Sequence, residues 1–263
     1  TFFIAGEVRF TEAIEKWREA GFAGAWADLE AGVAHWRGLP DMRGLAGHLA
    51  RGCDVRTRVR LASVGRRGNR WVARTAEGAS VTAEAVLLTP PVPQSVELIE
   101  AGGTELAPKL RQRLGQVDYQ RCLVVMAVLE GPAAVPAPGI LEPNEGPVAR
   151  LVDERAKGTS PVSAVTIHAR AGFSRERWDD DRQKVGAELI AAAGPWLGCE
   201  VKEFQVHGWK YARPVSAWPE LCLVAAERPA LVLAGDAFGG PDLWGAHLSG
   251  RAAAEALCRP DDD

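Results

Sequence analysis

The chain has 263 residues, of which 47% are hydrophobic and 25% are charged, and its formal net charge is −3. This is the composition of an ordinary globular protein, with enough chain for one large domain or two interleaved ones. The small net charge gives no reason to expect a nucleic acid or an anionic membrane as a partner. No apolar run approaches the roughly 18 residues that suggest a transmembrane helix.

The cysteines and histidines favour a cytoplasmic protein without a metal site. Five cysteines are scattered along the chain with no C-x-x-C pair, which favours reduced thiols. Histidine and cysteine never reach the spacing of zinc ligands, and no G-x-S-x-G motif supports a serine hydrolase. We therefore expect a small molecule as the partner, while the oligomeric state stays open.

Apolar spacing, glycine and proline define the elements of the first third of the chain. Pro40 suits the first turn of a helix, and Gly52 suits its end. Alternating residues between turns then predict an antiparallel meander. The predicted elements are an extended Phe-rich piece over 1–10, a helix over 12–20, a helix over 39–52, a meander over 54–81 and a buried strand over 85–89.

The middle of the chain predicts further helices and several long strands. Ser174 is a candidate N-cap for one long helix, because apolar residues follow it at helical spacing. The predicted elements are helices over 92–101 and 104–114, strands over 119–129, 148–152 and 162–169, a helix from Ser174 to about 196, and a strand over 200–213.

The stretch 231–257, LVLAGDAFGGPDLWGAHLSGRAAAEAL, is the part of the sequence most suggestive of function. A short apolar strand over 231–234 breaks at Gly235, and a helix of small residues begins near Gly245. A strand that leads through a loop to a helix N-terminus is a common place for polar cofactor groups. Gly235 permits close approach of a ligand, and Asp236 can accept hydrogen bonds from sugar or ribityl hydroxyls.

This order of strand, Gly-Asp, loop, G-A-x-x-S-G and Ala-rich helix resembles the C-terminal flavin motif of FAD-dependent amine oxidases. The renalase-like branch of that family is the nearest in pattern. The resemblance implies that Asp236 meets the ribityl and pyrophosphate region and that the helix start faces the flavin pyrimidine edge. The alternative is a Gly-Asp turn before a packing helix.

The resemblance extends to the N-terminal side of the chain. There it places Val59 against the adenine, and Thr89 with Pro90 near the ribose and pyrophosphate; each is otherwise an ordinary core or strand-end residue. The complete set of residues predicted to bind the cofactor is Val59, Thr89, Pro90, Gly235, Asp236, Gly245, Ala246, His247 and Ser249.

An aromatic run, H-x-W-x-Y-A-x-P, ends the strand over 200–213. Strand alternation turns His207, Trp209 and Tyr211 to one face. Renalase-like sequences carry a similar run on a strand that approaches the flavin, where an aromatic wall stacks a flat substrate and excludes water. The alternative is an aromatic ladder inside a core sheet. The residues predicted to act in catalysis are Trp209, Tyr211 and His247.

The predicted fold is α/β, with a Rossmann-like FAD/NAD(P)-binding domain and an inserted mixed-sheet α+β substrate domain. We assign 36–98 and 221–260 to the cofactor domain, and 1–35 and 99–220 to the substrate domain. Family members open with G-x-G-x-x-G, which holds the ADP half of FAD. The 263 residues contain no such motif, so the cofactor domain is expected to be incomplete at its N-terminus.

The resemblance implies an FAD-dependent oxidoreductase of renalase-like or amine-oxidase type. Hydride passes from a small planar or amine substrate, an isomeric dihydronicotinamide being one candidate, to the flavin, and O2 is the acceptor. The missing ADP-binding unit would come from an N-terminal segment or a partner chain, and FAD retention by this chain alone is expected to be weak or absent. The alternative is a non-catalytic remnant or interaction subunit that keeps the fold and does not bind FAD by itself.

Overall fold

A computed structural model describes residues 2–4, 8–30, 33–216 and 218–258. The chain divides into two compact units, and each is discontinuous in sequence. Unit 1 comprises 1–51 and 120–212, and unit 2 comprises 52–119 and 213–263. The assignment of one domain to the cofactor and the other to the substrate stays a prediction. None of the helices in the described ranges is long and apolar enough to cross a membrane.

The described residues form the following elements. The strands are β1 (Phe3–Ile4), β2 (Ala23–Glu30), β3 (Val33–Gly38), β4 (Leu61–Arg67), β5 (Arg70–Thr75), β6 (Ser80–Ala83), β7 (Val86–Leu88), β8 (Tyr119–Leu129), β9 (Ile140–Leu141), β10 (Val148–Asp153), β11 (Ala164–Ala169), β12 (Val201–Pro214), β13 (Leu223–Ala226) and β14 (Leu231–Leu233). The helices are α1 (Val8–Glu19), α2 (Met42–Leu49), α3 (Val92–Ala101), α4 (Pro108–Leu114), α5 (Ala171–Glu176), α6 (Arg182–Leu197), α7 (Asp236–Gly239) and α8 (Leu243–Leu257).

Unit 1 is built on a five-stranded sheet with the order β12-β8-β11-β10-β9. Alternate residues of β8 and β11, such as Leu123, Val125 and Ile167, are fully buried in one core with Leu189 of α6. The residues between them therefore lie on the opposite face of the sheet, which α6 does not cover. Unit 1 also contains the sheet β1-β3-β2. Phe3 of β1 packs edge to face with Phe10 and Trp17 of α1.

Unit 2 contains two three-stranded sheets, the meander β4-β5-β6 and the sheet β13-β14-β7. The predicted meander is confirmed. In the second sheet β14 lies between an antiparallel neighbour, β13, and a parallel one, β7. The indole of the fully buried Trp71 donates a hydrogen bond to the carbonyl of Pro229 at 3.1 Å, which ties the meander to the turn before β14.

Some predicted elements have the predicted bounds, whereas others were wrong at their ends. The helix α3 and the strand β8 span 92–101 and 119–129 as predicted. The helix α2 begins at Met42 and not at Pro40. Asp41 is its N-cap, and the carboxylate of Asp41 accepts from the backbone N–H groups of Arg43 and Gly44. The first helix starts at Val8 rather than Glu12.

Three larger differences have a physical origin. The segment 54–60 is not a strand, because its basic residues alternate with valines that find no sheet partner. The predicted helix over 174–196 is two helices, and Ser174 lies inside α5, where its buried hydroxyl accepts from the N–H of Leu123 at 3.0 Å. The strands β2 and β3 were not predicted at all, since glycine and charged residues interrupt their apolar pattern.

Replacement of Ser174 by alanine should destabilise the protein, because the N–H of Leu123 would be left buried and without a partner. We expect the loss to be about 1–3 kcal/mol in the free energy of unfolding. Urea denaturation followed by circular dichroism measures it. Ser80→Ala on the exposed strand β6 is the matched control and should change stability by less than about 0.5 kcal/mol. Equal midpoints for the two variants would contradict the role assigned to Ser174.

Two glycines of α8 should respond in opposite ways to alanine. A Cβ at Gly245 would overlap the carbonyl oxygen of Gly240 and lie 2.6 Å from the carbonyl carbon of Gly239, whereas a Cβ at Gly250 has nothing within 4 Å. Gly245→Ala should therefore cost about 1–3 kcal/mol through backbone overlap. Gly250→Ala should add about 0.5–1 kcal/mol of helix propensity. Thermal unfolding of both variants is the measurement, and a loss at position 250 as large as that at 245 would show that helix α8 tolerates neither.

Candidate functional site

In unit 2, two loops that are far apart in sequence leave the same edge of a sheet. The strands β7 and β14 run parallel, with Val86 opposite Leu231 and Leu88 opposite Leu233. The pairing continues one residue further, because the N–H of Ala234 donates to the carbonyl of Leu88 at 3.0 Å. The structure therefore brings together two parts of the predicted cofactor site, residues 89–90 and 235–236. In open α/β sheets the carboxyl ends of the strands are where ligands bind.

The turn after β14 depends on glycine and on a hydroxyl behind it. Gly235 has φ 135°, a conformation that L side chains rarely adopt. Its N–H donates to the hydroxyl of Ser249 at 2.8 Å, and Ser249 is fully buried. A Cβ at Gly235 would meet only the carbonyl oxygen of Thr89, at 3.5 Å. Ser249 thus supports the turn from behind, and the other side of Gly235 is open.

Asp236 follows at the start of the one-turn helix α7 and is half-buried. Burial raises the pKa of its carboxyl, and hydrogen bonds from the backbone N–H groups of Ala237 and of Asp236 itself offset that effect only in part. No side chain in the described part of the chain donates a hydrogen bond to this carboxylate. The structure therefore holds an acceptor that is partly removed from water and still has room for a donor.

The start of α8 is fixed by a cap and a close backbone contact. The carboxylate of Asp242 accepts from the N–H of Gly245 at 2.7 Å. Gly245 is buried against the turn at Gly240, while Ala246 and His247 are partly exposed on the next turn. The imidazole of His247 stacks on Trp244 with 6.4 Å between ring centroids. Burial, and then the charge of Arg251, lower its pKa, so the ring is neutral at neutral pH.

The remaining predicted cofactor residues differ in setting. Pro90 is partly buried, and its carbonyl accepts from the hydroxyl of Ser95 at 3.1 Å. Thr89 is exposed. Val59 is 46% exposed and lies before β4, outside any strand, so the predicted strand setting of Val59 was wrong. Its contact with a cofactor stays a prediction.

In unit 1 the aromatic run lies on β12 as predicted. Trp209 is 54% exposed and packs against His207 with ring centroids 4.4 Å apart. Tyr211 is partly buried, and the ammonium of Lys210 lies 5.2 Å from the centre of its ring. A buried ladder inside a core sheet would hide Trp209, so this residue belongs to a surface. The catalytic roles of Trp209, Tyr211 and His247 stay predictions.

The sequence reasoning missed a cavity of about 870 Å³ in unit 1. It lies on the face of the five-stranded sheet that α6 does not cover, and the segment 38–43 closes one side of it. Its walls include the apolar side chains of Met42, Met126, Val128 and Trp209. Volumes of roughly 300–1,000 Å³ are typical of pockets that hold small molecules.

A buried ion pair forms the polar part of this cavity. The ammonium of Lys157 donates to the carboxylate of Glu154 at 2.9 Å, and the hydroxyls of Thr159 and Thr166 donate to the same carboxylate at 2.6 and 2.7 Å. Burial raises the pKa of Glu154, but these hydrogen bonds and the charge of Lys157 outweigh it, and the pKa is below its usual value. The only sequence signal for this cluster is the E-x-x-K-G turn between β10 and β11.

Within the described ranges, no three His, Cys, Asp or Glu side chains gather as metal ligands. Among the described residues, the two candidate sites are the carboxyl edge of the β7–β14 pair in unit 2 and the cavity in unit 1.

Several solved structures share this fold. A protein of Exiguobacterium sp. provisionally described as a protoporphyrinogen oxidase gives a TM-score of 0.62 at 17% identity, over 88% of this chain and 54% of its own. Putrescine-bound wild-type putrescine oxidase gives a TM-score of 0.60 at 13% identity, over 86% of this chain and 55% of its own. A fatty acid isomerase from P. acnes that produces CLA gives 0.51 at 13% identity, over 75% and 47%. This chain spans about half the length of each.

These likenesses confirm the predicted α/β fold of the FAD-binding type. The family model described as flavin containing amine oxidoreductase matches residues 19–258, which include both units. The match covers both predicted parts of the site, the Gly-Asp turn with its helix and the aromatic strand. The chain therefore belongs to the flavin-containing amine oxidoreductase family.

Proposed function

We propose that the chain acts as an FAD-dependent oxidoreductase of renalase-like type, which takes hydride from a small planar or amine substrate and uses O2 as the final acceptor. One observation carries the proposal. Asp236, a partly desolvated carboxylate with no side-chain donor among the described residues, lies beside an open glycine turn at the carboxyl edge of a parallel strand pair.

The residues of this edge fit the ribityl part of a flavin. A carboxylate with free acceptor capacity suits a chain of hydroxyl groups. Gly235 and Gly240 leave their outer sides open: at Gly240 the nearest atom to a Cβ would be 3.8 Å away. In this proposal a flat ring lies against the backbone at Ala246 and His247, both of which are partly exposed.

The chain offers fewer contacts to the ADP half of FAD than to the ribityl part. The chain has no G-x-G-x-x-G loop, and Val59, Thr89 and Pro90 are the residues that we assign to the ADP half. Thr89 and Val59 are exposed, so they offer little desolvated contact area. We therefore propose that this chain alone retains FAD weakly, and that a further segment or a partner chain completes the site.

The flavin supplies the hydride acceptor when it is bound, which is chemistry that side chains cannot provide. The residues of the chain position the cofactor and the substrate and shield them from water. In this proposal Asp236 orients the flavin by accepting hydrogen bonds from the ribityl hydroxyl groups, and neutral His247 borders the ring without adding charge. Trp209 and Tyr211 present aromatic surface to a planar substrate and keep water away from it.

Asp236 should lower the stability of the protein at neutral pH. Its raised pKa means that the folded state favours the protonated carboxyl. The stability that Asp236 itself contributes is therefore fully present below pH 3.8, the ordinary pKa, and is lost as pH rises through the raised pKa. Asp236→Asn should therefore raise the melting temperature at pH ~7, and the gain should vanish in acid. Asp54→Asn, at an exposed carboxylate in unit 2, should leave the midpoint unchanged. A variant at 236 that melts lower than wild type at every pH would show that the charge is stabilising.

Flavin binding tests the proposed role directly. The purified chain is mixed with FAD, and binding is followed by the visible absorbance and fluorescence of the flavin. Asp236→Ala should weaken binding by about tenfold or more, the expected loss of a charge-assisted hydrogen bond. Asp54→Ala is the control and should bind as wild type does.

The two readouts separate a binding role from a structural one. A binding residue at position 236 gives a variant that is at least as stable as wild type and binds FAD less well. If wild type shows no FAD binding at any concentration, the alternative of a non-catalytic remnant or interaction subunit is the better description of this chain.

A further inference from the structure

The cavity of unit 1 has features of a binding site that does not depend on a flavin. Its volume of about 870 Å³ would hold a molecule of several rings. Two methionines, Met42 and Met126, line it, and unbranched thioether side chains adapt to ligands of different shape. Trp209, which is 54% exposed, offers a flat apolar surface at the wall. Most of the contact that a ligand makes here is therefore apolar.

In the Glu154–Lys157 pair the acceptor is largely used, whereas the donor has capacity left. Glu154 receives three hydrogen bonds, from Lys157, Thr159 and Thr166, so its oxygens are largely occupied. The ammonium of Lys157 has three N–H groups, and within the described residues one of them goes to Glu154 while its other neighbour is the ring of Trp26, 5.9 Å away. A donor that is 2% exposed in a cavity wall is costly to leave unpaired.

Most charged groups of the lining are paired. Lys157 pairs with Glu154, and Arg43 pairs with Asp41 at 2.7 Å. The carboxylate of Glu203 also belongs to the lining, so the charged side chains of the wall sum to one negative charge. A carboxylate ligand would gain little here that repays its loss of hydration.

We infer that this cavity binds an uncharged, mostly apolar compound whose carbonyl-type oxygen accepts a hydrogen bond from Lys157. Met126, Val128 and Trp209 contact the apolar body, and the Glu154–Lys157 pair holds the oxygen. The inference concerns binding to unit 1 alone, so it stands or falls without FAD.

Three related dyes test the inference on the whole chain without flavin. Prodan is an uncharged naphthyl ketone whose emission shifts to the blue in apolar surroundings. Dimethylaminonaphthalene lacks the carbonyl, and the matching naphthoic acid carries a charge. Titration of each dye by fluorescence, with calorimetry where emission does not change, gives the dissociation constants. We expect prodan to bind more tightly than either of the other dyes, by about tenfold.

Two variants locate the site and its anchor. Met126→Trp puts a larger side chain into the cavity where we expect the dye to lie, and it should weaken prodan binding by about tenfold or more. The double variant Glu154→Gln with Lys157→Met removes both charges together, because a single change would leave the other charge buried and unpaired. It should weaken prodan by about tenfold and leave the dye without a carbonyl unchanged. Lys202→Met, at an exposed lysine of β12 outside the cavity, should bind all three dyes as wild type does.

Specific outcomes would overturn the inference. Undiminished prodan binding to the Met126 variant would place the dye elsewhere. Equal losses for prodan and its carbonyl-free analogue in the double variant would remove Lys157 as the anchor. Tighter binding of the naphthoic acid than of prodan would show that the cavity prefers an anion. Far-ultraviolet circular dichroism of each variant ensures that only folded protein is compared.

Discussion

The parallel pairing of β7 and β14 is the constraint on which the arrangement of unit 2 depends. These strands are separated by more than a hundred residues of sequence, yet they lie in register from Val86 opposite Leu231 to the bond between Ala234 and Leu88. Only this pairing places the Thr-Pro corner beside the Gly-Asp turn. The buried Ser249 then holds the turn from the helix side, so one hydroxyl links strand, turn and helix.

Much of the fold was predictable wherever local signals agreed. The strand β8 has a long apolar run, and α3 has Pro90 and Pro91 before it and Gly102 after it, so their bounds were right. Prediction failed where a tertiary contact overrides local pattern. Ser174 resembles a cap in sequence, but its hydroxyl is used by a strand, which only the folded chain reveals. The strands β2 and β3 form through each other, since neither has a clear alternation of its own.

The two candidate sites differ in how far sequence could reveal them. The C-terminal part of the candidate site in unit 2 is contiguous over 231–257, and a pattern of glycines and one carboxylate at fixed spacing was enough to propose it. The cavity in unit 1 draws its walls from β8, β11, β12 and the segment 38–43, and its ion pair lies in a turn of ordinary composition. The turn becomes a candidate site only because Lys157 is buried in the folded chain. The burial of a lysine cannot be inferred from its neighbours in sequence. The exposure of Trp209 likewise follows from its position on β12, and the residue type alone would not predict it.

The Glu154–Lys157 pair limits which substitutions this sequence can accept one at a time. Each residue neutralises the other inside a low-dielectric wall, so losing one leaves a charge that the fold cannot solvate. A change at either position alone therefore gives a less stable protein, whereas joint replacement by neutral residues avoids the unpaired charge.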